Sequence, residues 1–120
     1  MIDCPFCHQE SFIESEYCYA RWDKYPVNKG HVLIIPKRHV KTWFDMTNAE
    51  QQDAMLLLEN VRTLLDKELS PDGFNIGLNC GLAAGQTVMH AHMHVIPRYR
   101  NDMDDPTGGV RGVIPSKQKY

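Results

Sequence analysis

The sequence predicts an α+β fold in which an antiparallel sheet packs against one long helix. Three observations predict it. Short β-branched or aromatic runs alternate with Pro, Gly and Asn; a single amphipathic segment spans residues 47 to about 69; and loops, not repeated strand–helix units, join the runs. The length of 120 residues suits one domain, residues 1–120.

The elements follow in order. Residues 16–22, rich in aromatics, read as a strand, and the Pro- and Gly-bearing stretch 23–30 as a loop. His31-Val32-Leu33-Ile34-Ile35 reads as a second strand, stopped by Pro36. Thr47-Asn48-Ala49-Glu50 matches a capping box, in which the Thr hydroxyl and the Glu carboxylate each satisfy an orphan backbone donor. From there Ala54, Leu57, Leu58, Val61, Leu64 and Leu65 recur at helical spacing, so one face is buried. Pro71-Asp72-Gly73 closes the helix. Residues 74–78 read as a strand, 79–86 as a loop with Gly81 and Gly85, and 89–96 as a last strand before Pro97. From Asn101 onward the chain is a polar, turn-rich tail, with 110–114 expected as a short docking strand.

Composition narrows the function. Hydrophobic residues make up 42% and charged residues 23%, as in ordered globular proteins. The net charge of -2 lacks the basic surplus that long nucleic acid demands. No apolar stretch approaches the roughly 20 residues of a membrane span. Met1-Ile2-Asp3-Cys4 has neither the basic region nor the apolar run of a signal peptide, so a cytoplasmic location is expected.

His90-Ala91-His92-Met93-His94 carries half of the chain's six histidines. Strand periodicity puts the three imidazoles on one face and Ala91, Met93 and Val95 on the other, toward the helix. Three half-buried imidazoles each need a hydrogen-bond partner, which makes them costly as mere structure. A metal held by all three stays open on chemistry alone. The preceding Gly85-Gln86-Thr87-Val88 offers backbone N–H groups, an amide and a hydroxyl, donors suited to phosphate oxygens. Cys4-Pro5-Phe6-Cys7 admits three readings. Two thiolates at this spacing can fill adjacent corners of a zinc tetrahedron; the pair resembles a glutaredoxin site, although only three residues precede it; or the thiols are inert. His8 stands beside the pair as a competing ligand.

Asn75-Ile76-Gly77-Leu78-Asn79, Ala84-Gly85-Gln86-Thr87-Val88 and His90-x-His92-x-His94-Val95-Ile96-Pro97-Arg98, together with Val32 to His39 and the long helix, resemble the histidine-triad (HIT) family over nearly the whole chain. The resemblance implies a HIT-like fold of about five antiparallel strands on one long and one short helix. It implies that His92 attacks an α-phosphorus and that His94 contacts the phosphate and helps the leaving group depart. Gln86, Thr87 and the Val88 backbone would hold phosphate oxygens. Asp23 would bind ribose hydroxyls, Asn79 would line the pocket, and Phe6, Trp22 and Ile34 would wall the base. The implied substrates are nucleotides, either dinucleoside polyphosphates or nucleoside phosphoramidates. A branch of the family holds structural zinc with positions matching Cys4, Cys7, His39 and His90. Family members are usually homodimers, and Arg111 in the 101–120 tail could reach a partner subunit's site. The alternatives are a nucleotide-binding adaptor with incidental hydrolysis and a zinc-organised redox protein. His31, Cys18 and Cys80 receive no functional role.

Overall fold

The computed structural model describes residues 4–120; the expectation about a leader at Met1, Ile2 and Asp3 lies outside the described residues. Five strands form one antiparallel sheet: β1 (Ile13–Glu14), β2 (Cys18–Trp22), β3 (Val32–Pro36), β4 (Gly73–Gly77) and β5 (Met93–Arg98), in the spatial order β1-β2-β3-β5-β4. The long helix α1 (Asn48–Leu69) covers one face, and short 3-10 turns fill the connections.

The capping box forms as the sequence predicts. Thr47 Oγ1 accepts from the Glu50 N–H at 3.1 Å, and Glu50 Oε1 accepts from the Thr47 N–H at 2.8 Å. Glu50 Oε1 also takes the Arg38 guanidinium at 2.8 Å, which ties the start of α1 to the segment after β3. Ser70, in the left-handed region at φ 47°, ends the helix. Ala54, Leu57, Val61 and Leu65 are buried against Cys18, Ala20, Val32, Ile34, Met93 and Val95. Truncating Leu57 or Leu65 to Ala in such a core costs about 2–5 kcal/mol. The opposite sheet face carries Tyr19, Leu33 and Ile35, and Phe6 packs there.

Two expectations need correction, and one strand lies outside them. The strand β1 carries too few residues to show periodicity; it exists because a tight turn, with the Ser15 N–H donating to Cys18 O at 2.9 Å, folds the chain back on β2. The last strand starts at Met93 rather than Met89, because the preceding segment leaves the ladder: the Ala91 N–H donates to Val40 O at 2.7 Å. The alternation nevertheless persists. Ala91, Met93 and Val95 are buried on the helix side, and the His92 and His94 rings lie 5.2 Å apart on the other. Residues 110–114 do not form a strand; Gly108 and Gly109 have positive φ, and the chain curls into a 3-10 turn over Gly109–Val113.

Candidate active site

Each histidine of the triad has a protonation pattern fixed by its partner. A carbonyl can only accept, so the nitrogen facing it carries the proton. His90, fully buried, places Nε2 2.7 Å from Pro36 O; Nε2 is the N–H and Nδ1 keeps its lone pair. That lone pair faces Cys4 Sγ at 3.3 Å and Cys7 Sγ at 3.5 Å, while His39 Nδ1 lies 3.1 Å from Cys7 Sγ. The four ligand atoms lie within 4.8 Å of one another. A zinc tetrahedron with ordinary Zn–S and Zn–N bonds has S···N edges of about 3.5 Å. The donor set therefore fits zinc, with Pro36 O as the hydrogen-bond partner that orients His90. A zinc site would also take His90 out of catalysis.

His92 places Nδ1 2.8 Å from His90 O, so Nδ1 is the N–H and Nε2 is bare. The third pattern needs a relay. The Val27 N–H donates to His31 Nδ1 at 3.0 Å, which puts the proton of neutral His31 on Nε2. That Nε2–H lies 2.9 Å from His94 Nδ1, closer than Asp23 Oδ2 at 3.4 Å. His94 Nδ1 thus accepts, and His94 carries its proton on Nε2. Burial holds His31, His92 and His94 below the ordinary imidazole value, His94 at about 4, with the neighbouring His92 and His31 adding to the effect on His94. Asp23, 4.0 Å from His94 Nδ1, opposes this shift.

His92 and His94 line a cleft of about 510 Å³ with Asp23, Asn79, Thr87 and Val88. Six of the seven residues expected at the nucleotide are thereby brought together. Gln86 is not. It is buried, its Oε1 accepts from the Gly81 N–H at 2.8 Å, and its Nε2 donates to Lys41 O at 2.7 Å and Val88 O at 3.0 Å. Its side chain clamps the loop from behind. Gly85, at φ 95°, allows that loop to turn beside the cleft.

Strand parity corrects the expected base walls. Phe6 lines the cleft, but Ile34 is buried in the helix-facing core, and Trp22 stacks on Phe12 with centroids 4.3 Å apart. Leu33 and Arg21, the neighbours of opposite parity, line the cleft instead. His31 and Arg21 were the residues missed. Their signal was alternation: His31 is in phase with Leu33 and Ile35, and Arg21 with Tyr19. Arg111 is held within its own tail, donating to Gln118 O at 3.2 Å and Lys117 O at 3.0 Å.

Fold and site together define a small α+β domain with a histidine-lined cleft backed by a Cys2His2 cluster. A HIT-domain family model matches residues 7–101, and the chain belongs to the HIT family. An uncharacterized 16.1 kDa HIT-like protein of Mycoplasma pneumoniae is 37% identical over 108 residues, 84% of this chain and 75% of that protein. The AP-4-A phosphorylase of Mycobacterium tuberculosis is 37% identical over 100 residues, which are 81% of this chain and 51% of the relative; the chain thus spans about half of that enzyme. Among solved structures, a HIT family protein from Bacillus anthracis has a TM-score of 0.77 at 35% identity, covering 82% of this chain and 75% of that one. A Zn-bound histidine triad family protein from Mycobacterium smegmatis has a TM-score of 0.75 at 32% identity, covering 82% and 77%. Among the described residues no helix is long and apolar enough to cross a membrane.

Proposed function

We propose that this protein is a nucleotidyl hydrolase or transferase that cleaves at the α-phosphate of a dinucleoside polyphosphate or nucleoside phosphoramidate. The observation that carries the reading is the pairing of a bare His92 Nε2 with a protonated His94 Nε2 in one cleft. Neutral His92 attacks the α-phosphorus; the N–P bond forms as the bond to the leaving group breaks. His94 Nε2–H lies on the same face to hydrogen-bond a phosphate oxygen or the departing atom, easing the charge that develops there, and the leaving group takes its proton from water. Water, or another acceptor, then takes the nucleoside monophosphate from His92. Thr87 and the Val88 N–H hold phosphate oxygens, Asp23 binds the ribose hydroxyls, and Asn79 lines the pocket. Gln86 serves by fixing the loop that presents Thr87 and Val88. The name of the M. tuberculosis relative, a phosphorylase of a dinucleoside polyphosphate, supports this substrate class.

Cys4, Cys7, His39 and His90 would hold a zinc ion. Bound there, it supplies structure rather than chemistry, pinning the N-terminal segment and His90 next to His92. A homodimer is proposed on the family resemblance, and light scattering at twice the chain mass is the expected result.

The test mixes wild type and His92→Ala with diadenosine tetraphosphate and with an adenosine phosphoramidate, and measures AMP release. Release by wild type, with a loss of at least about a thousandfold in the variant while nucleotide binding persists, is expected. Equal turnover by the variant refutes attack by His92. Binding without release by either protein indicates an adaptor.

A further inference from the structure

The register lays a straight row of residues across the site face of the sheet. Gly77 pairs with His94, His94 with Leu33, and Leu33 with Arg21. Side chains in such a row point to the same side. Adjacent strands lie roughly 4.8 Å apart, so Arg21 stands about 10 Å from His94 across the sheet. That matches the reach of a 5′-nucleotide from its phosphorus to the far edge of its base. With the phosphate at His92 and His94, the base would pass over Leu33 and meet Arg21.

Arg21 is an unusual group to find there. It is 6% exposed, packed beside Tyr19, Leu33 and Ile35 on the site face of the sheet, and it borders the cleft. Its guanidinium has five N–H donors and no acceptor. Nη1 donates to Pro5 O at 3.3 Å, Nη2 lies 3.5 Å from Glu10 Oε2, and the guanidinium carbon sits 5.5 Å from the centre of the Phe6 ring. The Tyr19 hydroxyl, which donates to Phe6 O, is a further neighbour. These contacts hold the fork in place without using all of its donors.

A fixed donor fork discriminates between bases. Guanine presents two adjacent acceptors, O6 and N7, which a guanidinium meets bidentately; adenine presents N7 beside an amino group whose hydrogens oppose it. We infer that Arg21 is a specificity-determining residue that selects guanine over adenine at the base end of the cleft. The inference rests on the nucleotidyl reading above.

The experiment measures kcat/KM for guanosine, inosine, 7-deazaguanosine and adenosine 5′-phosphoramidates with wild type, Arg21→Lys and Arg21→Met. Wild type is expected to favour guanosine over adenosine by roughly tenfold to a hundredfold. Inosine, which keeps O6 and N7, should match guanosine, and 7-deazaguanosine should lose most of the advantage. Because these comparisons use the unaltered protein, they hold even if an Arg21 variant fails to fold. In folded Arg21→Met the guanosine-to-adenosine ratio should collapse toward one, with Arg21→Lys intermediate. A purely anchoring Arg21 would lower all four substrates together and leave the ratio intact. An unchanged ratio in the variants, or a wild-type ratio of one or below, overturns the base assignment alone. Absence of turnover and of binding for every nucleotide overturns the parent reading and this inference with it.

Discussion

His94 should make the protein less stable in mild acid, and the size of the effect follows from its surroundings. Its side chain is 26% exposed, and burial, with His92 and His31 beside it, lowers its pKa from 6.5 to about 4. In the unfolded chain the imidazole takes a proton near 6.5; in the folded chain it resists until about 4. Over that window the unfolded state binds more protons, so stability is full above 6.5 and falls as the pH drops toward 4. Each pH unit of the window is worth about 1.4 kcal/mol, and the whole window about 3 kcal/mol. The perturbation is His94→Gln, which removes the titrating group and keeps a polar side chain. Urea midpoints of wild type and variant at pH 7.5, 6, 5 and 4.5 provide the assay. The wild type should lose more stability than the variant, with the gap opening below pH 6.5 and approaching that figure. Acid release of a metal at Cys4, Cys7, His39 and His90 is common to both proteins and drops out of the difference. Parallel curves, or a His94 resonance titrating near 6.5 in the folded protein, would refute the reasoning.

Two further outcomes are expected. Purified protein should carry about one zinc per chain by elemental analysis; Cys4→Ser/Cys7→Ser should lose it and melt at lower temperature, whereas metal-free wild type that melts normally would remove zinc from the account. His31→Phe should lower kcat with little change in KM, because His94 loses the donor that fixes its tautomer. The loss should be greatest for poor leaving groups and smallest for a nitrophenyl ester of AMP, and a uniform loss across leaving groups would argue for a merely structural His31.

Much of this was legible in the sequence because it is local. The Thr47–Glu50 box lies within one helical turn, and the period-two run from His90 to His94 declares its face without tertiary information. Properties that depend on distant partners were hidden. Gln86 has equal chemistry for a phosphate and for the carbonyls of Lys41 and Val88, and only the folded loop turns its amide inward. His31 immediately precedes β3, and its meaning comes from His94, 63 residues later. Residues 110–114 have strand composition, but positive φ at Gly108 and Gly109 sends the chain into a turn. Ile34 and Trp22 were misplaced by one step of parity, the slip to which a period-two pattern is most sensitive.

Chemically identical side chains acquire different protonation patterns here through their backbone partners. His90 gives its N–H to Pro36 O and offers Nδ1 to the cysteine pair. His92 gives its N–H to His90 O and offers a bare Nε2 to the cleft. His94 is acted on in the opposite sense: the Val27 N–H sets His31, and His31 sets His94 with its proton outward. The three protonation patterns are thus set by one carbonyl, another carbonyl and one backbone amide. The desolvation that holds His92 and His94 below the usual imidazole range keeps both neutral at pH 7, so that one offers the cleft a lone pair and the other an N–H. Such a site depends less on the ionisation of any one residue than on the rigidity of the strands that carry the three partners. It follows that moving a proton between the two nitrogens of a single ring would disable the cleft while leaving every residue in place.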